Sequence, residues 1–225
     1  MTNLQDLVFV TSNLDKLREA EAVLRHKLDH QALDLPEIQS LDLEQVVRAK
    51  AAAAWERLQR PVLVEDTALE LVGLGGFPGP LIRWMLASIG PAGICRVAHA
   101  FADAGAVARC LVCATDGGSE VFGEGSVRGV IATSPRGRRG FGWDSTFVTR
   151  SLGTVSFSTA RARARMPSAK PSPTRSTRAI TFSEMSERSA EIWRSLSISM
   201  LLASVYIAYF QQFVLDGAKP VGMDL

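Results

Sequence analysis

An apolar run, Val62-Leu63-Val64, passes without a break into two adjacent carboxylates and a hydroxyl, Glu65-Asp66-Thr67. A short unbroken apolar run of this kind predicts a strand buried on both faces, and such strands belong to sheets covered by helices. A second run, Leu7–Thr11 (LVFVT), has the same character and turns at Ser12-Asn13. Asn13 then suits the N-cap of the next segment, LDKLREAEAVLRHKL, where Leu17, Ala20, Leu24 and Leu28 share one helical face. A further helix is predicted over Asp42–Arg60, with Val46, Val47 and Trp55 on its apolar side and Pro61 at its end. Strand and helix alternate, so the fold class is α/β with a mixed sheet.

Downstream, Gly73–Pro80 (GLGGFPGP) reads as a loop, and helices are predicted over Leu81–Ser88 and Arg96–Ala106. Strands over Ala108–Thr115 and Ser119–Phe122 flank the turn Asp116-Gly117-Gly118, and Gly125–Ala132 adds another. Ser134–Gly142 is a basic, glycine-rich loop that opens onto Phe141-Gly142-Trp143-Asp144. At about 150 residues per domain, a chain of 225 residues makes one large domain or two lobes.

Charge is unevenly distributed. Residues 151–180 hold six Lys or Arg and no Asp or Glu, so the remainder carries a net charge of −4. With the basic charge confined to one segment, a nucleic-acid footprint over the whole protein is not expected. Ser, Thr, Pro, Arg and Lys supply 19 of those 30 residues without apolar periodicity, which predicts a disordered basic insertion. Ser195–Leu215 is free of charge over 21 residues, long enough to span a bilayer. Its four serines and two glutamines dilute it, and a buried C-terminal helix is the preferred reading. The first 25 residues contain Asp6, Asp15, Glu19 and Glu21, unlike a secretory leader.

Three segments carry chemistry. In Thr11-Ser12-Asn13-Leu14-Asp15-Lys16 a strand ends, small polar residues turn and a helix starts. Such a helix start presents N–H groups and a positive dipole to an anion, and Lys16 adds a full charge. The alternative is an N-cap with a solvated lysine. Glu65-Asp66-Thr67 sits at the end of its strand in this reading, where α/β sheets place ligands. Hard carboxylate oxygens there suit Mg²⁺ joined by substrate phosphates. Glu37, in Leu35-Pro36-Glu37-Ile38-Gln39, is a further isolated acid, and a solvent-facing turn is its simplest explanation. Phe141-Gly142-Trp143-Asp144 could offer a ring to a planar base, or its aromatics could belong to the core.

The three cysteines, an odd number, point to a reducing compartment. Cys110 and Cys113 have half of a zinc spacing but no second pair, and three residues apart on a strand they face opposite ways. The sequence contains neither a Walker loop nor a G-x-S-x-G elbow.

In order and spacing, FVTSNLDK (9–16), LDLPEIQ (33–39), Lys50, PVLVEDTAL (61–69), GLGGFPGPLIRW (73–84) and GFGWDSTF (140–147) resemble the inosine triphosphate pyrophosphatase family, closest to its eukaryotic-type branch. The resemblance covers residues 7–148, about two-thirds of the chain. It implies an elongated, two-lobed α/β fold with a long mixed sheet and the active-site cleft between the lobes. It implies hydrolysis of non-canonical purine nucleoside triphosphates to monophosphate and pyrophosphate by a cytoplasmic homodimer, with Mg²⁺, or Mn²⁺ in its place. Thr11, Ser12, Asn13 and Lys16 would grip the triphosphate. Glu37 and Asp66 would hold the metal, with Asp66 also orienting or deprotonating water and Lys16 assisting catalysis. Lys50, Thr67 and Arg83 would touch substrate. Phe141, Gly142, Trp143 and Asp144 would form the base and sugar pocket.

Three departures from the family pattern stand out. Arg83 occupies a position where this branch has Lys, exchanging a point charge for a planar fork. Ser183-Glu184-Met185 matches the family's Ala-Glu-Met, but Asp144 and Glu184 lie 40 positions apart, leaving room for an inserted segment. The family's base-reading Ser-His-Arg is missing, and no His follows His99. The main domain is therefore expected over 1–150, the insertion over 151–180 and a divergent, helical segment over 181–225. An insertion and a shift of reading frame both fit this change. Other readings of the chain are a catalytically weak nucleotide-binding or membrane-associated relative, and a Maf-type nucleotide pyrophosphatase.

Overall fold

The computed structural model describes residues 7–24, 27–136, 142–149, 155–160 and 176–180, the last two as backbone only. It is a mixed α/β structure built on a nine-stranded sheet. Strand β1 (Val8–Val10) leads into helix α1 (Leu14–Leu24), β2 (Asp29–Gln31), α2 (Leu43–Leu58) and the long β3 (Val62–Leu71). A 3-10 turn, Val72–Leu74, and the short β4 (Pro78–Gly79) precede α3 (Ile82–His99). The antiparallel strands β5 (Gly105–Thr115), β6 (Glu120–Ile131), β7 (Phe147–Thr149), β8 (Val155–Ala160) and β9 (Ser176–Ile180) complete the order. Along the sheet the strands run β2-β1-β3-β5-β6-β8-β9, with β4 on β3 and β7 on β6.

Alternation along β3 divides the core in two. Leu63, Leu69 and Leu71 face one side, with Leu7, Phe9, Ala20 of α1 and Ile82, Ile94 and Ala98 of α3. Val62, Val64 and Ala68 face the other, with Val8, Val10 and Leu43, Val47, Ala51 and Ala54 of α2. Asp42 caps α2 by accepting from the N–H groups of Glu44 and Gln45. The apolar stripe of each helix thus closes one face of the sheet.

One whole edge of β3 pairs antiparallel with β5, from Val62↔Thr115 to Leu71↔Ala106. The other edge is shared. Val62 and Leu63 pair parallel with Val8 and Phe9 of β1, and Leu69 and Glu70 pair with β4. Residues 64–68 lie between these two ladders, and among the described residues no strand pairs with them on that edge. This gap makes room for polar groups in the middle of the sheet.

Several predicted boundaries change. Glu65-Asp66-Thr67 lies inside β3 rather than at its end, because β5 continues to pair with the strand to Leu71. The two helices expected between Leu81 and Ala106 are the two halves of α3, separated at Gly90, whose φ of 66° and ψ of 176° are not helical, and the second half starts at Pro91 rather than Arg96. It stops at His99, because Asp103 turns the chain by accepting from Gly105 N–H and β5 begins there. The strands expected at Ser119–Phe122 and Gly125–Ala132 are the single strand β6, paired throughout with β5. Within 151–180, expected to be disordered, Val155–Ala160 and Ser176–Ile180 are strands in register with β6 and with each other. The rest of that segment and the Ser195–Leu215 stretch lie outside the described residues, among which no helix is long and apolar enough to cross a membrane.

The β5–β6 turn carries a packing constraint. Gly117 has φ 83° and lies directly beneath the Trp55 indole of α2, so an added Cβ would meet the ring. Gly117→Ala is expected to cost about 2 kcal/mol, read as a lowered denaturation midpoint with an unchanged slope.

Candidate active site

The site is centred on residues 64–68 of β3, which pair with β5 on one edge and, among the described residues, with no strand on the other. Successive residues of a strand point to opposite faces, so Glu65 and Asp66 diverge. Glu65 shares its face with α1, and its buried carboxylate forms an ion pair with Lys16. Asp66 shares its face with α2, where Lys50 Nζ lies 3.6 Å from Asp66 Oδ2 and donates to the Glu65 carbonyl at 3.2 Å. Two adjacent acids therefore fix two lysines, one from each helix layer. Asp66 Oδ1 also accepts the Thr67 N–H at 2.8 Å.

The loop before α1 is held by its own side chains. Thr11 Oγ1 accepts from Asn13 N–H (3.1 Å), and Asn13 Oδ1 accepts from the N–H groups of Asp15 (2.9 Å) and Lys16 (3.4 Å). Asn13 is the cap that the sequence predicts. The Thr11 carbonyl lies 2.7 Å from His30 Nε2, and Thr11 N–H donates to Gln31 O, which ties the loop to β2. Ser12 is exposed at its crest.

Burial pulls the Lys16 pKa down, but the charges of Glu65 and Asp66 and the hydrogen bond to Glu65 outweigh it, so the ammonium titrates above its ordinary range. Cys110 extends this cluster, its Sγ 3.8 Å from Glu65 Oε2. Burial, and then the Glu65 charge, push its thiol well above the usual cysteine value, so it stays protonated at neutral pH. Cys113 faces the other core and is pushed up to about 12, chiefly by burial. The opposed orientation expected for Cys110 and Cys113 holds, and all three cysteines are buried and free.

The remaining predicted site residues lie as follows. Glu37 is exposed, and Arg83 Nη1 reaches its two oxygens at 3.5 and 3.3 Å. Among the described residues, no three His, Cys, Asp or Glu gather as a metal cluster. Phe141 lies outside the described residues. Gly142 is exposed at φ 59°. The Trp143 ring is buried, 5.9 Å from Phe147 in an edge-on contact at 72°. The core alternative therefore describes its ring. Asp144 opens the turn whose Thr146 donates to Trp143 O, and Arg136 N–H donates to Ser145 O.

Sequence reasoning treated Glu65 and Asp66 as one acidic pair and left Glu65 out of the site. The signal was present: adjacency on a strand sends the two carboxylates to different faces, so each needs its own cation. Arg109, a second charged group of the sheet, was also missed. It bridges Glu70 (2.8 Å) and Glu124 (2.7 Å) across β3, β5 and β6. Burial lowers its pKa, but the bonds to Glu70 and Glu124 raise it further.

Comparison with known proteins defines the class. The chain belongs to the Ham1 family, whose model matches residues 7–187 and so runs beyond Phe147 through Ser183-Glu184-Met185. It is 42% identical over 150 residues to the inosine triphosphate pyrophosphatase of Batrachochytrium dendrobatidis, covering 64% of this chain and 77% of that one. It is 41% identical over 151 residues to the inosine triphosphate pyrophosphatase of Schizosaccharomyces pombe, covering 65% and 79%. Among solved structures, a nucleoside-triphosphatase (dITP/XTP pyrophosphatase) from Mycobacterium abscessus is 26% identical, with a TM-score of 0.52 over 64% of this chain and 84% of that one. A HAM1 protein from Coxiella burnetii shares the fold, with a TM-score of 0.62 over 95% and 100% of the chains at 19% identity.

The Lys16–Glu65 pair sets a pH dependence. A lysine whose folded pKa is raised stabilises fully below its unfolded value of about 10.4 and loses that contribution as pH rises through the folded value. The thermal midpoint should therefore fall above about pH 10.4 on account of this pair. Lys16→Met should abolish that alkaline limb and cost about 3 kcal/mol at neutral pH by stranding a buried carboxylate. Thermal melts from pH 7 to 11 check both outcomes.

Proposed function

We propose that the protein hydrolyses non-canonical purine nucleoside triphosphates, such as inosine triphosphate, deoxyinosine triphosphate and xanthosine triphosphate, to the monophosphate and pyrophosphate. The observation that carries this reading is that two lysines meet adjacent residues of β3, Lys16 at Glu65 and Lys50 at Asp66, beside the capped Thr11–Lys16 loop. The family relationship supports it. The proposal includes a cytoplasmic homodimer and no nucleic-acid partner.

In this mechanism, the Thr11–Lys16 loop receives the phosphate chain, with Ser12 exposed at its crest and Lys16 beneath it. Lys50 approaches from the α2 side and offsets phosphate charge. Asp66 orients the attacking water and takes its proton. The water oxygen bonds to the α-phosphorus, and the bond from that phosphorus to the bridging oxygen breaks. The bridging oxygen leaves with pyrophosphate. Thr67 keeps the Asp66 carboxylate in place through its N–H.

The donor chemistry fits Mg²⁺, or Mn²⁺. Asp66 is a partly exposed carboxylate whose lysine stands off at 3.6 Å, and Glu37 is an exposed carboxylate held only loosely by Arg83. One or two carboxylates completed by phosphate oxygens are what Mg²⁺ takes. Asp66 and Glu37 would hold the ion, which would neutralise phosphate charge when bound. Thr67, Arg83, Gly142, Trp143, Asp144 and Phe141 complete the proposed substrate contacts, Trp143 through its backbone since its ring is buried.

Purified protein with inosine triphosphate and Mg²⁺ should release pyrophosphate as its first phosphorus product. Orthophosphate in its place would overturn the reaction assignment. Asp66→Asn should lower kcat at least ~100-fold, with a thermal midpoint close to that of the parent. Without the family's Ser-His-Arg, donors to the purine 6-oxo group are missing, and a site lacking such donors discriminates less. The ratio of kcat/KM for inosine over adenosine triphosphate should be smaller than for the Schizosaccharomyces pombe relative measured alongside.

A further inference from the structure

Glu65 is a charged group that the reaction does not use and that burial makes costly to retain. It stands in the middle of β3, opposite Val112 of β5, with apolar neighbours Leu63 and Leu69 on its own face. Both of its oxygens are engaged, Oε1 by the Lys16 ammonium and Oε2 by the Cys110 thiol at 3.8 Å. Lys16 is likewise held at two points, its N–H by Asn13 Oδ1 and its head by Glu65. Its four-carbon stem would otherwise sample many rotamers. Its side chain is only 16% exposed, so it meets a ligand over a narrow front.

We propose that Glu65 is a positioning residue of the phosphate site: from the face of the sheet opposite Asp66, it sets the place from which the Lys16 ammonium meets the phosphate chain. This rests on the reading of Thr11–Lys16 as the phosphate loop. The rigid element is β3, anchored along its length by β5, and the flexible one is the lysine. A charge-assisted bond holds the ammonium where a neutral acceptor would hold it more weakly. Without its counter-ion, a buried ammonium moves to solvent or loses its proton, and either change removes positive charge from that place.

The sign of the effect separates positioning from simple electrostatics. If Glu65 only added negative charge near an anion site, neutralising it would tighten phosphate binding. If Glu65 positions Lys16, neutralising it weakens binding. The test titrates inorganic tripolyphosphate into the full-length protein in EDTA by calorimetry, using the parent, Glu65→Gln, Lys16→Met and the double variant. Glu65→Gln should weaken binding about tenfold, and the double variant should bind no more weakly than Lys16→Met, the non-additivity of residues that act together. With inosine triphosphate and Mg²⁺, Glu65→Gln should raise KM about tenfold and change kcat less than about twofold, the pattern of lost uniform binding. A merely structural role would reduce the folded fraction and leave KM unchanged. Tighter or unchanged tripolyphosphate binding, or additive losses in the cycle, overturns the proposal. Should Glu65→Gln not fold, Glu65→Asp decides: it keeps the charge but withdraws it by one methylene, so affinity must still fall, and an unchanged value overturns the proposal. Because this binding is measured without turnover, failure of the hydrolase reading shows separately, as absent pyrophosphate release from a protein that still binds tripolyphosphate.

Discussion

The site depends on one geometric constraint, that neighbouring residues of a strand point to opposite faces. Glu65 and Asp66 are neighbours on β3, and each therefore needs a cation from a different layer of the fold. Lys16 at the start of α1 supplies one and Lys50 within α2 supplies the other. The two helices are packed by separate apolar clusters, yet their ammonium groups are gathered at one place on the strand between them. Among the described residues, the same stretch of β3 is the part without a paired strand on its outer edge, between the β1 and β4 ladders.

The rest of the sheet keeps that strand still. β5 pairs with β3 over ten residues, and β6 continues the ladder. Arg109 ties Glu70 of β3 to Glu124 of β6 across β5, and Arg48 of α2 stacks over Phe122 of β6 with its guanidinium carbon 4.5 Å from the ring centroid. Rigid support of this kind is what a preorganised charge site needs, because donors that must be reorganised during the reaction lose much of their effect.

Much of this was legible in the sequence. LVFVT and VLV announced buried strands, Asn13 its cap, and the Ala-rich segment after Asp42 its helix, because each is a local signal with a local cause. The extent of β3 was not legible. Glu65, Asp66 and Thr67 look like a strand's end, and only pairing with β5, more than forty residues later, carries the strand past them. The two helices expected before β5 are the halves of α3 on either side of the non-helical Gly90, but the second starts at Pro91, whose fixed φ suits a first helical turn. Of the candidate site, the loop and Asp66 were read from residue type, and Lys50 came from the family resemblance alone. Glu65 was missed because its role comes from burial, and burial is set by the packing of α1 against the sheet.

In the proposed reaction the site directs water to the α-phosphorus. Hydrolysis of inosine triphosphate in ¹⁸O-labelled water, followed by mass spectrometry of both products, tests it most directly. One labelled oxygen in the inosine monophosphate and none in the pyrophosphate is the result expected from a water activated beside Asp66. Label in the pyrophosphate would mean attack at the β-phosphorus and would contradict the placement of the phosphate chain on the Thr11–Lys16 loop.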